Sequence, residues 1–124
     1  MRFFRCNHHA VIQACISTSG RAPSDMPKEE LVANTVDAAR EKHVPVITRE
    51  GNLVTVTVGS VLHPMTEEHY IPFIALETKQ GMQVKNLKPG MKPVAVFALA
   101  DGDELIAAYE YCNLHGLWKA EVSC

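Results

Sequence analysis

The sequence has little of what most function classes require. It has no basic surplus: 12 Lys and Arg stand against 14 Asp and Glu, for a net charge of -2. With a pI near 6.3, such a chain neutralises few phosphates, which argues against nucleic acid as a main partner. It has no long apolar run. Stretches such as Val94–Ala100 fall far short of the ~20 residues that cross a bilayer. The start, Met1–His9, is basic but lacks the apolar core of a secretory signal, so a cytoplasmic location is the expectation. There is no internal repeat and no low-complexity tract. Cysteine is scarce and irregular: Cys6, Cys15, Cys112 and Cys124 form no C-x-x-C pair. In a reducing compartment that argues against a disulfide framework and leaves metal binding or catalysis for any special cysteine. Aromatic residues are 6%, with a single tryptophan.

What is present supports one folded domain of ordinary size, since 47% of the 124 residues are hydrophobic and 21% charged. Residues 1–40 differ from the rest. Two short stretches, Ala10–Ile16 and Leu31–Ala39, flank the loop-like Ser17–Asp25. Glu29 and Glu30 after Pro27, with Asp25 or Ser24 as cap, suggest a short helix. From residue 43 the pattern becomes strands. Leu53–Val58 alternates valine and threonine, the period of a half-buried strand. Val44–Arg49, Tyr70–Thr78, Gln83–Leu87, Pro93–Ala100, Leu105–Cys112 and Leu117–Val122 complete seven strands separated by turn residues. Pro72 marks an edge or bulge near the start of the third. Seven short strands at this spacing predict an antiparallel β-sandwich.

Four histidines and one cysteine lie at the ends of these segments. His43 precedes a strand, His63 and His69 bracket one loop, and Cys112 ends a strand with His115 three residues on. Strand-end loops are where a rigid sandwich presents functional groups. Pro64 stiffens the backbone that carries His63, and Gly116 permits an unusual backbone angle after His115. Imidazole and thiolate together suit iron, copper, zinc or nickel rather than magnesium or calcium. Cys-x-x-His is a familiar chelating bite. Taken singly, each histidine also reads as a surface or hydrogen-bonded residue, and Cys112 as a buried apolar thiol. Trp118 reads as core rather than as a cofactor contact.

Three motifs carry a resemblance: Glu41-Lys42-His43-Val44-Pro45-Val46-Ile47, then His63-Pro64-Met65 with Glu68-His69-Tyr70, then Glu110-Tyr111-Cys112-Asn113-Leu114-His115-Gly116-Leu117-Trp118-Lys119. In order and spacing, residues 36 to about 121 resemble the superoxide reductase family (desulfoferrodoxin and neelaredoxin). The resemblance implies a seven-stranded immunoglobulin-like antiparallel β-sandwich or barrel at 36–124, preceded by an irregular N-terminal extension at 1–35. It implies one mononuclear non-haem iron per chain. His43, His63, His69 and His115 would be its planar ligands, Cys112 its axial thiolate, and the sixth position open. The implied reaction is one-electron reduction of superoxide to hydrogen peroxide. Lys42 corresponds to the family lysine that attracts the anion and assists proton delivery, and Glu41 to the glutamate that ligates ferric iron. An electron donor such as rubredoxin and a homodimer or homotetramer are the implied partners. Backbone N–H groups at Asn113–His115 are candidate donors to the Cys112 sulfur.

The chain departs from two-site members of that family. Cys6-Asn7-His8-His9 resembles the start of a desulforedoxin-like module, but the second cysteine is replaced by His9 and only Cys15 follows. A tetrathiolate site cannot form within one chain, so the segment reads as a degenerate remnant. Zinc held by Cys6, His8, His9 and Cys15 is the alternative. Cys124 reads as a free terminal thiol, and Phe73 stands where many relatives carry tryptophan. Two other classes remain for the sandwich. One is a cupredoxin-like electron-transfer protein, which would need a methionine soon after the last histidine. The other is a metal-free immunoglobulin-like binding module.

Overall fold

A computed structural model of the protein describes residues 1–5, 12–15 and 29–122, the second of these by backbone alone. The chain divides into two compact units, Met1–Val32 and Ala33–Cys124. The first contains β1 (Arg2–Arg5), β2 (Ile12–Cys15) and β3 (Glu29–Leu31), which form an antiparallel sheet in the order β2-β1-β3. Glu29–Leu31 is therefore strand rather than helix. The Arg2 guanidinium accounts for this locally: it grips both carboxylate oxygens of Glu30, at 2.8 and 3.0 Å. That cross-strand pairing overrides the weak helix-start signal of two consecutive acids.

The second unit holds a short helix, α1 (Arg40–His43), and seven strands: β4 (Pro45–Glu50), β5 (Leu53–Val58), β6 (Phe73–Thr78), β7 (Gly81–Asn86), β8 (Val94–Ala98), β9 (Leu105–Cys112) and β10 (Gly116–Glu121). They form two antiparallel sheets, β4-β5-β8 and β10-β9-β6-β7, the three-plus-four division of an immunoglobulin-like sandwich. The third strand begins at Phe73, after Pro72, because proline cannot donate to the ladder.

The alternation in β5 has the expected outcome. Val54, Val56 and Val58 are fully buried, while Thr55 and Thr57 on the other face are half-buried. Facing them are Ile74 and Leu76 of β6 and Ala108 and Cys112 of β9, and Ala95 and Phe97 of β8 join the same core. Burying each valine, isoleucine, leucine or phenylalanine among them stabilises by roughly 1.5–3 kcal/mol, so the two sheets form a stiff platform. β4 starts, β5 ends, β6 starts, β9 ends and β10 starts within a few residues of His43, His63, His69, Cys112 and His115 respectively. Among the described residues no helix is long and apolar enough to cross a membrane.

Candidate metal centre

Each site residue reaches its place through the element that carries it. His43 is the last residue of α1. That turn is pressed against the end of β5: a Cβ built on Gly59 would lie 2.6 Å from the Glu41 carbonyl oxygen and 3.0 Å from the Lys42 carbonyl carbon. Only glycine permits this approach. The same Glu41 carbonyl accepts from Val61 N–H at 2.9 Å and Ser60 Oγ at 3.2 Å. The His63 N–H donates to the Val58 carbonyl at 2.9 Å, so the turn at 59–62 folds His63 back against the end of the buried strand. His69 sits in a turn closed by reciprocal backbone hydrogen bonds with Thr66, at 2.9 and 3.2 Å. Cys112 and His115 span the β9–β10 turn, where Cys112 pairs with Gly116. Gly116 has φ +79°, a conformation that disfavours other residues.

Asn113 joins two of these loops. Its Oδ1 accepts from Tyr70 N–H at 3.0 Å, its Nδ2 donates to the Glu68 carbonyl at 3.0 Å, and its own N–H donates to the Tyr70 carbonyl at 3.2 Å. The segment carrying His69 is thereby tied to the turn carrying Cys112 and His115. Neither Gly59 nor Asn113 stands out in the sequence. Gly59 reads as punctuation after a strand, and Asn113 as a candidate backbone donor to the Cys112 sulfur rather than as a clip between loops.

The four histidines form a ring. Successive centroids are 4.7 Å apart for His43–His63, 4.5 Å for His63–His69, 5.1 Å for His69–His115 and 4.9 Å for His43–His115. His43 and His69 lie across it at 6.4 Å. One donor atom from each of His43, His69, Cys112 and His115 lies within 4.8 Å of the others. His63 adjoins this group, its Nε2 being 3.2 Å from His43 Nε2. His115 Nδ1 stands 3.1 Å from His43 Nε2 and 3.8 Å from Cys112 Sγ.

Proton accounting tests whether this cluster fits a cation. His43 Nδ1 is 2.7 Å from the Ala39 carbonyl, and His63 Nδ1 is 2.7 Å from the Pro64 carbonyl. A carbonyl only accepts, so both Nδ1 atoms carry the hydrogen and both Nε2 atoms present lone pairs. Two lone pairs 3.2 Å apart repel unless a positive centre lies between them. His69 Nε2 is buried with no partner at all. Between His43 Nε2 and His63 Nε2, then, no ring hydrogen of either residue is available. Burial favours the neutral rings: it lowers His43 and His69 and pushes His63 down to about 4. The donor set therefore suits a metal ion, and with a thiolate included it suits a late first-row metal.

Burial raises the Cys112 thiol, against the backbone N–H groups of Leu114 and His115, which donate to its sulfur. Of the three expected donors Asn113 is the exception, since its N–H is taken by the Tyr70 carbonyl. Lys42 and Glu41 are exposed on α1. The Lys42 charge contributes to lowering both His43 and His69, and that of Glu41 opposes the effect at His43. Trp118 is buried as expected but also stacks on His43. Phe73 stacks on Tyr111, centroids 6.1 Å apart. Cys6, His8, His9 and Cys124 lie outside the described residues, as does the Cys15 side chain.

Known proteins resemble this chain over the residues that build the cluster. The family model described as Desulfoferrodoxin matches residues 35–121. A desulfoferrodoxin of Clostridium acetobutylicum is 50% identical over 96 residues, 77% of this chain and 74% of that one. A desulfoferrodoxin homologue of Methanothermobacter thermautotrophicus is 36% identical over 119 residues, covering 94% and 95% of the two chains. The crystal structure of the superoxide reductase from Treponema pallidum superposes with a TM-score of 0.79 at 39% identity, covering 98% of this chain and 99% of that one. A match through both the helix that carries His43 and the turn that carries Cys112 and His115, with relatives half identical, means that the chain belongs to the desulfoferrodoxin family.

Proposed function

We propose that the protein is a superoxide reductase whose Ala33–Cys124 unit holds one iron through His43, His63, His69, His115 and the Cys112 thiolate. The carrying observation is the pair of hydrogen-free Nε2 atoms of His43 and His63 held 3.2 Å apart. Iron supplies the one-electron chemistry: superoxide takes one electron and two protons and leaves as hydrogen peroxide, and an outside donor returns the electron. The chain's own residues do the rest. The Ala39 and Pro64 carbonyls hold the His43 and His63 tautomers, so Nε2 stays free for metal. Burial keeps these rings neutral near pH 7, the form that ligates. The Leu114 and His115 N–H groups bind the Cys112 sulfur, favouring the thiolate and moderating its donation.

Access is uneven. His43, His63 and Cys112 are buried, while His69 and His115 are only half-buried. A small anion therefore approaches over the His69–His115 edge, where the exposed Lys42 ammonium draws it in by its field. Lys42 also exchanges protons with water beside the site, and Glu41 is the acid placed nearest on the same turn. A small electron carrier of the rubredoxin type is the partner this reading requires. A cupredoxin-like copper centre fits less well, because four histidines converge and no methionine stands within the nine residues after His115. Anaerobic ferrous protein mixed with superoxide in a stopped-flow apparatus tests the reading. Iron oxidation with one peroxide per iron and no dioxygen is expected. Cys112→Ser should abolish the thiolate-to-ferric colour and the fast oxidation, and retention of both would overturn the assignment.

A further inference from the structure

Trp118 is the chain's only tryptophan and is 1% exposed. Packing alone would explain its burial, but two contacts reach the candidate ligands. The indole lies over the His43 imidazole, centroids 5.0 Å apart and planes 28° from parallel. Its Nε1–H donates to the His115 carbonyl at 3.1 Å. The Arg40 guanidinium stands 6.0 Å from the indole centroid, a cation over an aromatic face. One side chain thus touches two histidines whose ring nitrogens, His43 Nε2 and His115 Nδ1, are 3.1 Å apart.

We propose that Trp118 is a positioning residue for the metal centre: its face sets the plane of the His43 ring, and its N–H pins the peptide of His115. This rests on the reading that His43 and His115 hold a metal. An imidazole has a broad torsion about Cβ–Cγ. The hydrogen bond to the Ala39 carbonyl fixes one atom of the His43 ring, and an offset stack in the 4.5–7 Å range fixes its plane. The His115 peptide takes a second anchor where it leads into Gly116, which has no side chain to restrain its φ of +79°. The indole N–H supplies that anchor from three residues further along the chain.

The test uses full-length protein, freed of metal, as wild type, Trp118→Phe and Trp118→Leu, with folding checked by thermal melts. Co2+ is titrated against a competing chelator, and bound cobalt is counted by metal analysis. Binding to wild type is expected to quench the indole fluorescence, saturating at about one equivalent. Phenylalanine keeps the stack and loses the N–H, so affinity should fall by about 3–10-fold. Leucine loses both, with about 10–100-fold weaker binding, the range for outer-shell partners of metal ligands, and a shifted cobalt–thiolate absorption band. A purely packing role would lower the melting temperature of both variants and leave the spectrum and affinity unchanged, which would overturn the proposal. So would stoichiometric binding to wild type without quenching. If leucine prevents folding, the phenylalanine variant and the wild-type quench decide. Wild type that binds no cobalt at all would sink the metal reading itself, a result separable from the others.

Discussion

Gly59→Ala places one methyl group against the backbone that carries His43. The added Cβ would lie 2.6 Å from the Glu41 oxygen, 3.0 Å from the Lys42 carbonyl carbon and 3.1 Å from the Val44 oxygen. All three are backbone atoms, so no side-chain rotation relieves the contact. The α1 turn has to retreat by about 0.5–1 Å to reach ordinary van der Waals separation. Overpacking of this kind destabilises by about 1–3 kcal/mol. Taking about 2 kcal/mol, the metal-free protein should melt about 10 °C lower, given roughly 4–8 °C per kcal/mol for a unit of this size. Because His43 moves with its turn, ferrous affinity measured by chelator competition should also fall by about 10–100-fold. Gly51→Ala is the control. Gly51 has open space around it and a φ of +60°, so alanine there costs about 1–2 kcal/mol of backbone strain with no push on the site. That variant should lose stability and keep wild-type metal affinity. A Gly59→Ala protein that melts within 2 °C of wild type and binds iron equally well would refute the idea that this close approach positions the helix.

Asn113→Ala removes two side-chain hydrogen bonds that tie the His69 segment to the Cys112–His115 turn. It should cost about 1–2 kcal/mol and speed hydrogen exchange at the Tyr70 N–H. Unchanged exchange would show that the clip is idle. Glu110 is fully buried with neither carboxylate oxygen paired, and burial raises it well above its ordinary value of 4.5. Above pH 4.5 the unfolded chain ionises this group while the folded chain keeps the proton, so stability falls as pH rises. Glu110→Gln should therefore gain in urea midpoint relative to wild type at pH 8 more than at pH 5, and a pH-independent difference would contradict the sign. Lys42→Gln should slow the second-order reaction with superoxide by up to about tenfold at low salt and flatten its ionic-strength dependence. An identical rate constant would remove the steering role.

The strands of the second unit are legible because their cause is local. Val54, Val56 and Val58 alternate with threonines in the sequence, and the same alternation decides which side chains enter the core. The convergence of His43, His63, His69, Cys112 and His115 is legible for another reason: residue type alone carries ligand chemistry, and the motifs keep its spacing. What stayed hidden depends on contacts between distant segments. Which nitrogen of His43 and of His63 is left without a hydrogen follows from where the Ala39 and Pro64 carbonyls fall in space. Glu29 and Glu30 resemble a first helical turn until Arg2 is brought alongside by β1. The sulfur donors are the sharpest case. Any N–H just after Cys112 is a candidate by sequence, yet the Asn113 amide is already committed to Tyr70 by the clip that holds His69 in place. The N–H groups of Leu114 and His115 are left to act on the sulfur, while the same turn fastens a neighbouring loop. The turn that carries Cys112 and the loop that carries His69 are thus joined through a single asparagine.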